Sequence, residues 1–105
     1  MEDREYLVIL YDYYGELLNE MQRKCFEDYY FDNLSLAEIS ENDGKSRNAI
    51  HKCIKSSCNK LYEFEDKLRL YEKKKKLYNI IDKIEDVEIK RLLEELIWEI
   101  NYRYI

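Results

Sequence analysis

Arg47, Asn48, His51, Lys52 and Lys55 fall within nine residues that contain no acid. If the segment is a helix anchored by Ile50 and Ile54, these five side chains occupy the opposite face. Their types suit groove recognition. Arg can bond guanine bidentately, Asn can read adenine, and Lys neutralises phosphate. Ser46 precedes them as an N-cap, and a helix start aims free N–H groups at a phosphate. The blander reading is a solvated face, with Asn48 a neutral residue near the cap. His51 is the chain's one His. It has no nucleophile motif beside it, and the chain has no phosphate-cradling glycine loop. Paired acids occur only at solvated spacing, so no enzyme is expected.

Charge sharpens this picture. The chain has 105 residues and a net charge of −5. Residues 1–43 carry twelve acids and three bases, whereas residues 44–62 carry five bases (Lys45, Arg47, Lys52, Lys55 and Lys60) and no acid. Residues 63–105 are nearly balanced, with eleven acids and ten bases. A protein selected for generic phosphate affinity would be basic overall. An acidic body opposes non-specific attachment, so any binding must be local to the basic segment.

Several classes fall away. No apolar run approaches the ~20 residues that span a bilayer, so no membrane insertion is expected. The start, Met1-Glu2-Asp3-Arg4-Glu5, lacks the basic and apolar parts of a secretion signal. Cys25, Cys53 and Cys58 are odd in number and lie in helix-like sequence, as reduced cytosolic thiols do. Cys53 and Cys58 turn ~140° from each other on a helix, and His51 has no paired ligand motif, so neither a zinc site nor any other cofactor is expected.

The elements that position the basic segment can be read from apolar spacing. Hydrophobic residues make up 46% of the chain, enough for a core, and with no proline and two glycines it has few of the residues that tight turns need. An all-α protein is therefore expected. A first helix, Asp3 to Leu18, carries Leu7, Leu10, Tyr11, Tyr14, Leu17 and Leu18, with Gly15 ending or kinking it. Asn19 caps a second helix to about Tyr30, with Met21, Cys25, Phe26, Tyr29 and Tyr30 inward. Ser35 and Glu38 form a capping box for a short third helix, with Leu36 and Ile39 inward. Asn42-Asp43-Gly44 is turn sequence, and Ser46 opens the fourth helix.

No Pro or Gly follows Ser46, and a heptad-like series runs through Ile50, Ile54, Ser57, Leu61, Phe64, Leu68, Tyr71, Lys75 and Tyr78, all but Ser57 and Lys75 apolar or tyrosine. Unbroken from Ser46 to Tyr78, this helix would span ~50 Å. Lys73-Lys74-Lys75-Lys76 interrupts the stripe, so residues 1–72 are assigned to one domain and 73–105 to a C-terminal segment for packing or dimerisation. There Leu77, Ile80, Ile81 and Ile84 form a short apolar face, and Asp86 caps a last helix bearing Ile89, Leu92, Leu93, Leu96, Ile97 and Ile100. This much apolar stripe points to a homodimer, because symmetric pairing is the commonest way to cover it.

Residues 34–61 fit a helix-turn-helix unit. It needs a small residue facing the second helix, a glycine in a left-handed turn, and an aliphatic anchor; Ser40, Gly44 and Ile50 fill those places. Asp43 and Lys45 stand where most such units are apolar, so their side chains are expected to point to water.

Leu18 to Leu61 resembles region 4 of bacterial sigma factors in Leu18, Gln22-Arg23, Leu34-Ser35-Leu36, Glu38-Ile39, Gly44, Ser46-Arg47, Ile50 and Lys60-Leu61. The flanks resemble the YlxM family. They are Leu10-Tyr11-Asp12-Tyr13-Tyr14-Gly15-Glu16-Leu17-Leu18, Asp28-Tyr29-Tyr30, and the exit from Leu61 to Lys73. The resemblance implies an all-helical cytoplasmic protein of low-GC Gram-positive bacteria. Family members are typically encoded beside genes of the signal recognition particle and are thought to regulate that pathway. The helix-turn-helix resemblance carries over Arg47, Asn48, His51, Lys52 and Lys55 as candidate nucleic-acid contacts, with Lys45 and Lys60 as peripheral phosphate contacts. Two functions follow as expectations. One is a non-enzymatic regulator of the signal recognition particle pathway that binds DNA, the particle's RNA, or its proteins. The other is a protein-interaction adaptor in which the helix-turn-helix is only a scaffold.

Overall fold

A computed structural model describes residues 3–102, with side chains to residue 99. The first two residues, the last three, and the side chain of Ile100 lie outside the described residues. The protein is all-α, and it divides into a unit over residues 1–70 and a unit over residues 71–105.

In the first unit α1 (Arg4–Tyr14) starts at Asp3, whose carboxyl accepts the Tyr6 N–H at 3.2 Å. It ends at Gly15, where a 3-10 turn (Gly15–Leu17) tightens the chain. A Cβ on Gly15 would lie 3.0 Å from the Tyr11 ring, so any larger residue would require that ring to shift. The tighter turn rotates Leu17 out to solvent and leaves Leu18 buried, where a continued helix would have put both inward.

The second helix, α2 (Glu20–Phe26), opens on a capping box. Asn19 accepts the Gln22 N–H at 2.8 Å, and Gln22 Oε1 accepts the Asn19 N–H at 3.1 Å. A π-helical turn (Glu27–Phe31) extends it. Met21 is exposed rather than inward, while Cys25, Phe26 and Tyr30 are buried. Phe26 stacks on Tyr11 with ring centroids 4.7 Å apart.

The capping box of α3 (Leu36–Asp43) forms as read, with Ser35 Oγ accepting the Glu38 N–H at 3.1 Å. Ile39 is fully buried, and Leu36 is only partly covered.

Against these three helices lies α4 (Arg47–Leu68). Its buried stripe is Ile50, Ile54, Ser57, Cys58, Leu61 and Glu65. Truncating any one of the large apolar members to Ala would cost about 2–5 kcal/mol. Ser57 has a separate job. Its hydroxyl donates to the carbonyls of Cys53 and Gln22, both at 2.9 Å, which joins α2 to α4 through a side chain small enough to let the backbones approach.

The expected unbroken helix from Ser46 to Tyr78 does not form. Arg69 adopts φ 54, a left-handed conformation, and α4 ends at Leu68. The physical reason is tertiary. The buried Tyr14 hydroxyl donates to Glu65 Oε1 at 2.5 Å and accepts the Leu70 N–H at 3.0 Å. That phenol satisfies a backbone donor which a continuous helix would have bonded internally. A side-chain acceptor 56 residues upstream leaves no trace in the local periodicity.

The second unit contains α5 (Leu70–Ile81), which begins on the last residue of the first, and α6 (Val87–Tyr102). Asp86 caps α6, accepting the Ile89 N–H at 3.1 Å. Ile81 and Ile97 are buried, whereas Ile80, Ile89, Leu92, Leu96 and Trp98 are half-exposed or more. The lysine run lies within α5, where the Lys75 ammonium sits 5.0 Å above the Tyr71 ring.

Candidate nucleic-acid interface

The turn that aims α4 is built around Ser40 and Gly44. Gly44 has φ +66, and its N–H bonds the Ser40 carbonyl. The Lys45 N–H bonds the same carbonyl at 3.2 Å, and the Ser40 hydroxyl donates back to the Lys45 carbonyl. The small residue thus closes the turn with its side chain as well as making room.

Asp43 does not point to water. Lys24 Nζ lies 2.9 Å from both Asp28 and Asp43, tying the turn to α2 and its π-helical extension. The hydrogen bonds from Asp28 and then Asp43 hold the Lys24 ammonium above its usual pKa. An ion triplet therefore stands where other helix-turn-helix units bury an apolar contact. Lys45 does stay exposed, with its Nζ 3.4 Å from Met21 Sδ.

A Cβ at Gly44 would meet nothing within 4 Å, so the only penalty for Gly44→Ala is the left-handed backbone. That penalty is about 1–2 kcal/mol, and each kcal/mol lowers Tm by about 4–8 °C in a domain of this size. Gly44→Asn should lose less, because Asn tolerates that conformation. A thermal melt of the two variants checks both the sign and the order.

Ser46 caps α4 by accepting the Ala49 N–H at 3.1 Å, and no acid stands in the first turn. Arg47, Asn48, His51, Lys52 and Lys55 are all exposed; Asn48, Lys52 and Lys55 are turned well away from Ile50 and Ile54, whereas Arg47, at the helix start, lies about 60° from Ile50 on an ideal helix. Among the described residues no carboxylate forms an ion pair with Arg47, Lys52 or Lys55. Lys45 and Ser46 are exposed just before them. Lys60 is exposed as well. It is turned about 140° from Lys55 on an ideal helix, and it lies 3.7 Å from Glu63.

Two uncharged residues join the basic side chains here. Ser56 and Asn59, with Lys52, Lys55, Lys60 and Glu63, line an open groove of about 330 Å³ along α4. The spacing from Lys52 to Lys55, Ser56 and Asn59 keeps to one side of a helix, so periodicity alone could have found them. Gln22 reaches the edge of this groove from α2, its Nε2 donating to Ser56 Oγ at 3.0 Å. The chain therefore presents an exposed helix with a capped, acid-free start and three cations, Arg47, Lys52 and Lys55, that form no ion pair among the described residues.

Residues 1–100 match the model of a family described as "Putative helix-turn-helix protein, YlxM / p13 like". The chain belongs to the UPF0122 family. It is 40% identical to UPF0122 protein CA_C1753 of Clostridium acetobutylicum, an alignment covering 96% of this chain and 97% of the relative. It is 50% identical to UPF0122 protein NT01CX_2214 of Clostridium novyi, over 84% of this chain and 80% of the relative. It is 38% identical to UPF0122 protein MYPE4850 of Malacoplasma penetrans, over 86% and 92%. The helix-turn-helix and the all-α fold of this UPF0122 protein are thus carried by sequence similarity and by its own turn geometry together. No helix among its described residues is long and apolar enough to cross a membrane.

Proposed function

We propose that this UPF0122 protein is a non-enzymatic regulator that binds nucleic acid through the exposed face of α4. The observation that carries this reading is the unneutralised trio Arg47, Lys52 and Lys55 beside the Ser46-capped helix start. Arg47 and Asn48 sit in the first turn, the part of a recognition helix that reaches base edges. Lys52 and Lys55 follow where phosphates flank a groove, and Lys45 and Lys60 contribute at the periphery. The similarity to the YlxM family supports a cytoplasmic role in the signal recognition particle pathway, with DNA or the particle's RNA as the nucleic acid. Pull-down from lysate with and without nuclease tests this. Co-purifying nucleic acid that nuclease removes supports the reading, and partners retained after nuclease oppose it.

Pairing of two copies completes the proposal, and residues 73–105 are assigned to it. Val87, Leu92, Leu96 and Trp98 expose at least half of their surface, and burying a large apolar side chain stabilises by roughly 1.5–3 kcal/mol. Two copies would present two basic helices at a fixed spacing, as duplex readers do. Sedimentation at micromolar concentration should give a dimer; a monomer would refute the pairing.

The same exposed face favours the adaptor as a second reading. In that case partner capture survives loss of the α4 cations and depends on Leu92 and Leu96.

A further inference from the structure

Two of the three cysteines meet across the contact between α2 and α4. Cys25 Sγ lies 2.7 Å from Cys53 Sγ. Cys25 is buried, and Cys53 is partly open to solvent. The pair is held from both sides. Cys53 Sγ lies 3.5 Å from the Met21 carbonyl, and Cys25 Sγ lies 3.4 Å from the Gln22 carbonyl and 3.5 Å from Ser57 Oγ. The third cysteine is occupied elsewhere: Cys58 is buried, with Sγ 3.5 Å from the Tyr30 hydroxyl. A disulfide needs sulfurs at about 2.05 Å, so closure takes under about 1 Å of movement.

From this juxtaposition we infer that Cys25 and Cys53 are a dithiol oxidation site, closed to an intramolecular disulfide by hydrogen peroxide. The exposed member reacts first. Cys53 sulfur attacks one peroxide oxygen, the O–O bond breaks, and the other oxygen leaves as water after taking the thiol proton. Cys53 becomes a sulfenic acid. Cys25 sulfur then attacks Cys53 sulfur, the S–O bond breaks, and the hydroxyl departs as a second water with the Cys25 proton. Two thiols have lost two electrons, and hydrogen peroxide has gained them. Burial, followed by the hydrogen bond to Cys53, pushes the Cys25 thiol up to about 12. Cys25 is therefore the slower of the two to react with peroxide, because the thiolate is the nucleophile, and it acts second, on the Cys53 sulfenic acid formed beside it.

The crosslink would enclose α3 and the Ser40–Gly44 turn in one covalent loop, fixing the helix-turn-helix between α2 and α4. It leaves the α4 cations untouched, so it stands or falls independently of nucleic-acid binding.

The test is peroxide treatment of the full chain at neutral pH, followed by alkylation, digestion and mass spectrometry. The expected result is a monomeric chain lighter by two hydrogens, with a peptide joining Cys25 to Cys53 and Cys58 alkylated. Its Tm should rise by about 10 °C or more, from the entropy of a loop of this length. Cys58→Ser should keep the crosslink, and Cys53→Ser should lose it. A crosslink through Cys58 or between two copies would overturn the assignment. So would a Cys53 that stops at sulfenic or sulfinic acid, or a pair that stays reduced.

Discussion

Replacing Arg47, Lys52 and Lys55 together by Ala is expected to lower affinity for nucleic acid by at least about 100-fold, at roughly 1 kcal/mol or more for each lost contact. Helicity and Tm should hold, because all three side chains are exposed and Ala is the best helix former. No ion pair among the described residues is broken by the change. Filter binding and circular dichroism on the same preparation check both halves. Affinity that survives the change would shift the function to the adaptor reading, with α6 as the working surface.

The second large effect is on stability. Tyr14→Phe removes one oxygen that serves two partners. The Glu65 carboxyl, 6% exposed, loses its donor hydroxyl, and the Leu70 N–H loses its acceptor. A buried hydrogen bond to a carboxyl together with a stranded backbone donor is worth about 2–4 kcal/mol. In a domain of this size that lowers Tm by about 10–20 °C. The ring itself stays, so packing against Phe64 is preserved and the loss reports the oxygen alone. A loss well below 1 kcal/mol would mean that the phenol does not organise the end of α4.

The contrast between these two sites explains what the sequence reveals. Ser35, Glu38, Gly44, Ser46 and Asp86 act on neighbours within four residues, and the caps and the turn lie where spacing predicts them. The buried stripe of Ile50, Ile54 and Leu61 is likewise a local period. The break at Arg69 depends on Tyr14, and the inward turn of Asp43 depends on Lys24, 19 residues earlier. Periodicity places Tyr14 inward but does not reveal its bonds to Glu65 and Leu70, and it does not mark Lys24 at all. Exposed Leu17 and Met21 have a related cause. Apolar residues at helical spacing read as core, but the 3-10 turn swings Leu17 into water, and Met21 lies on the rim of α2 beside the Lys45 ammonium. The basic face was legible because exposure on α4 follows from what Ile50 and Ile54 bury. Ser56 and Asn59 carry no charge, so only their helical spacing from Lys52 marks them. The Cys25–Cys53 contact needs the packing of α2 on α4, which no short-range pattern encodes.

The most direct test of the central claim is the salt dependence of binding to duplex DNA and to RNA. If Lys52 and Lys55 each neutralise one phosphate and Lys45 and Lys60 add up to two more at the periphery, log K should fall linearly with log salt concentration, with a slope between about −1.8 and −3.6 on duplex DNA and between about −1.4 and −2.8 on a single strand. A slope near zero, or no binding to either polymer at low salt, would contradict it.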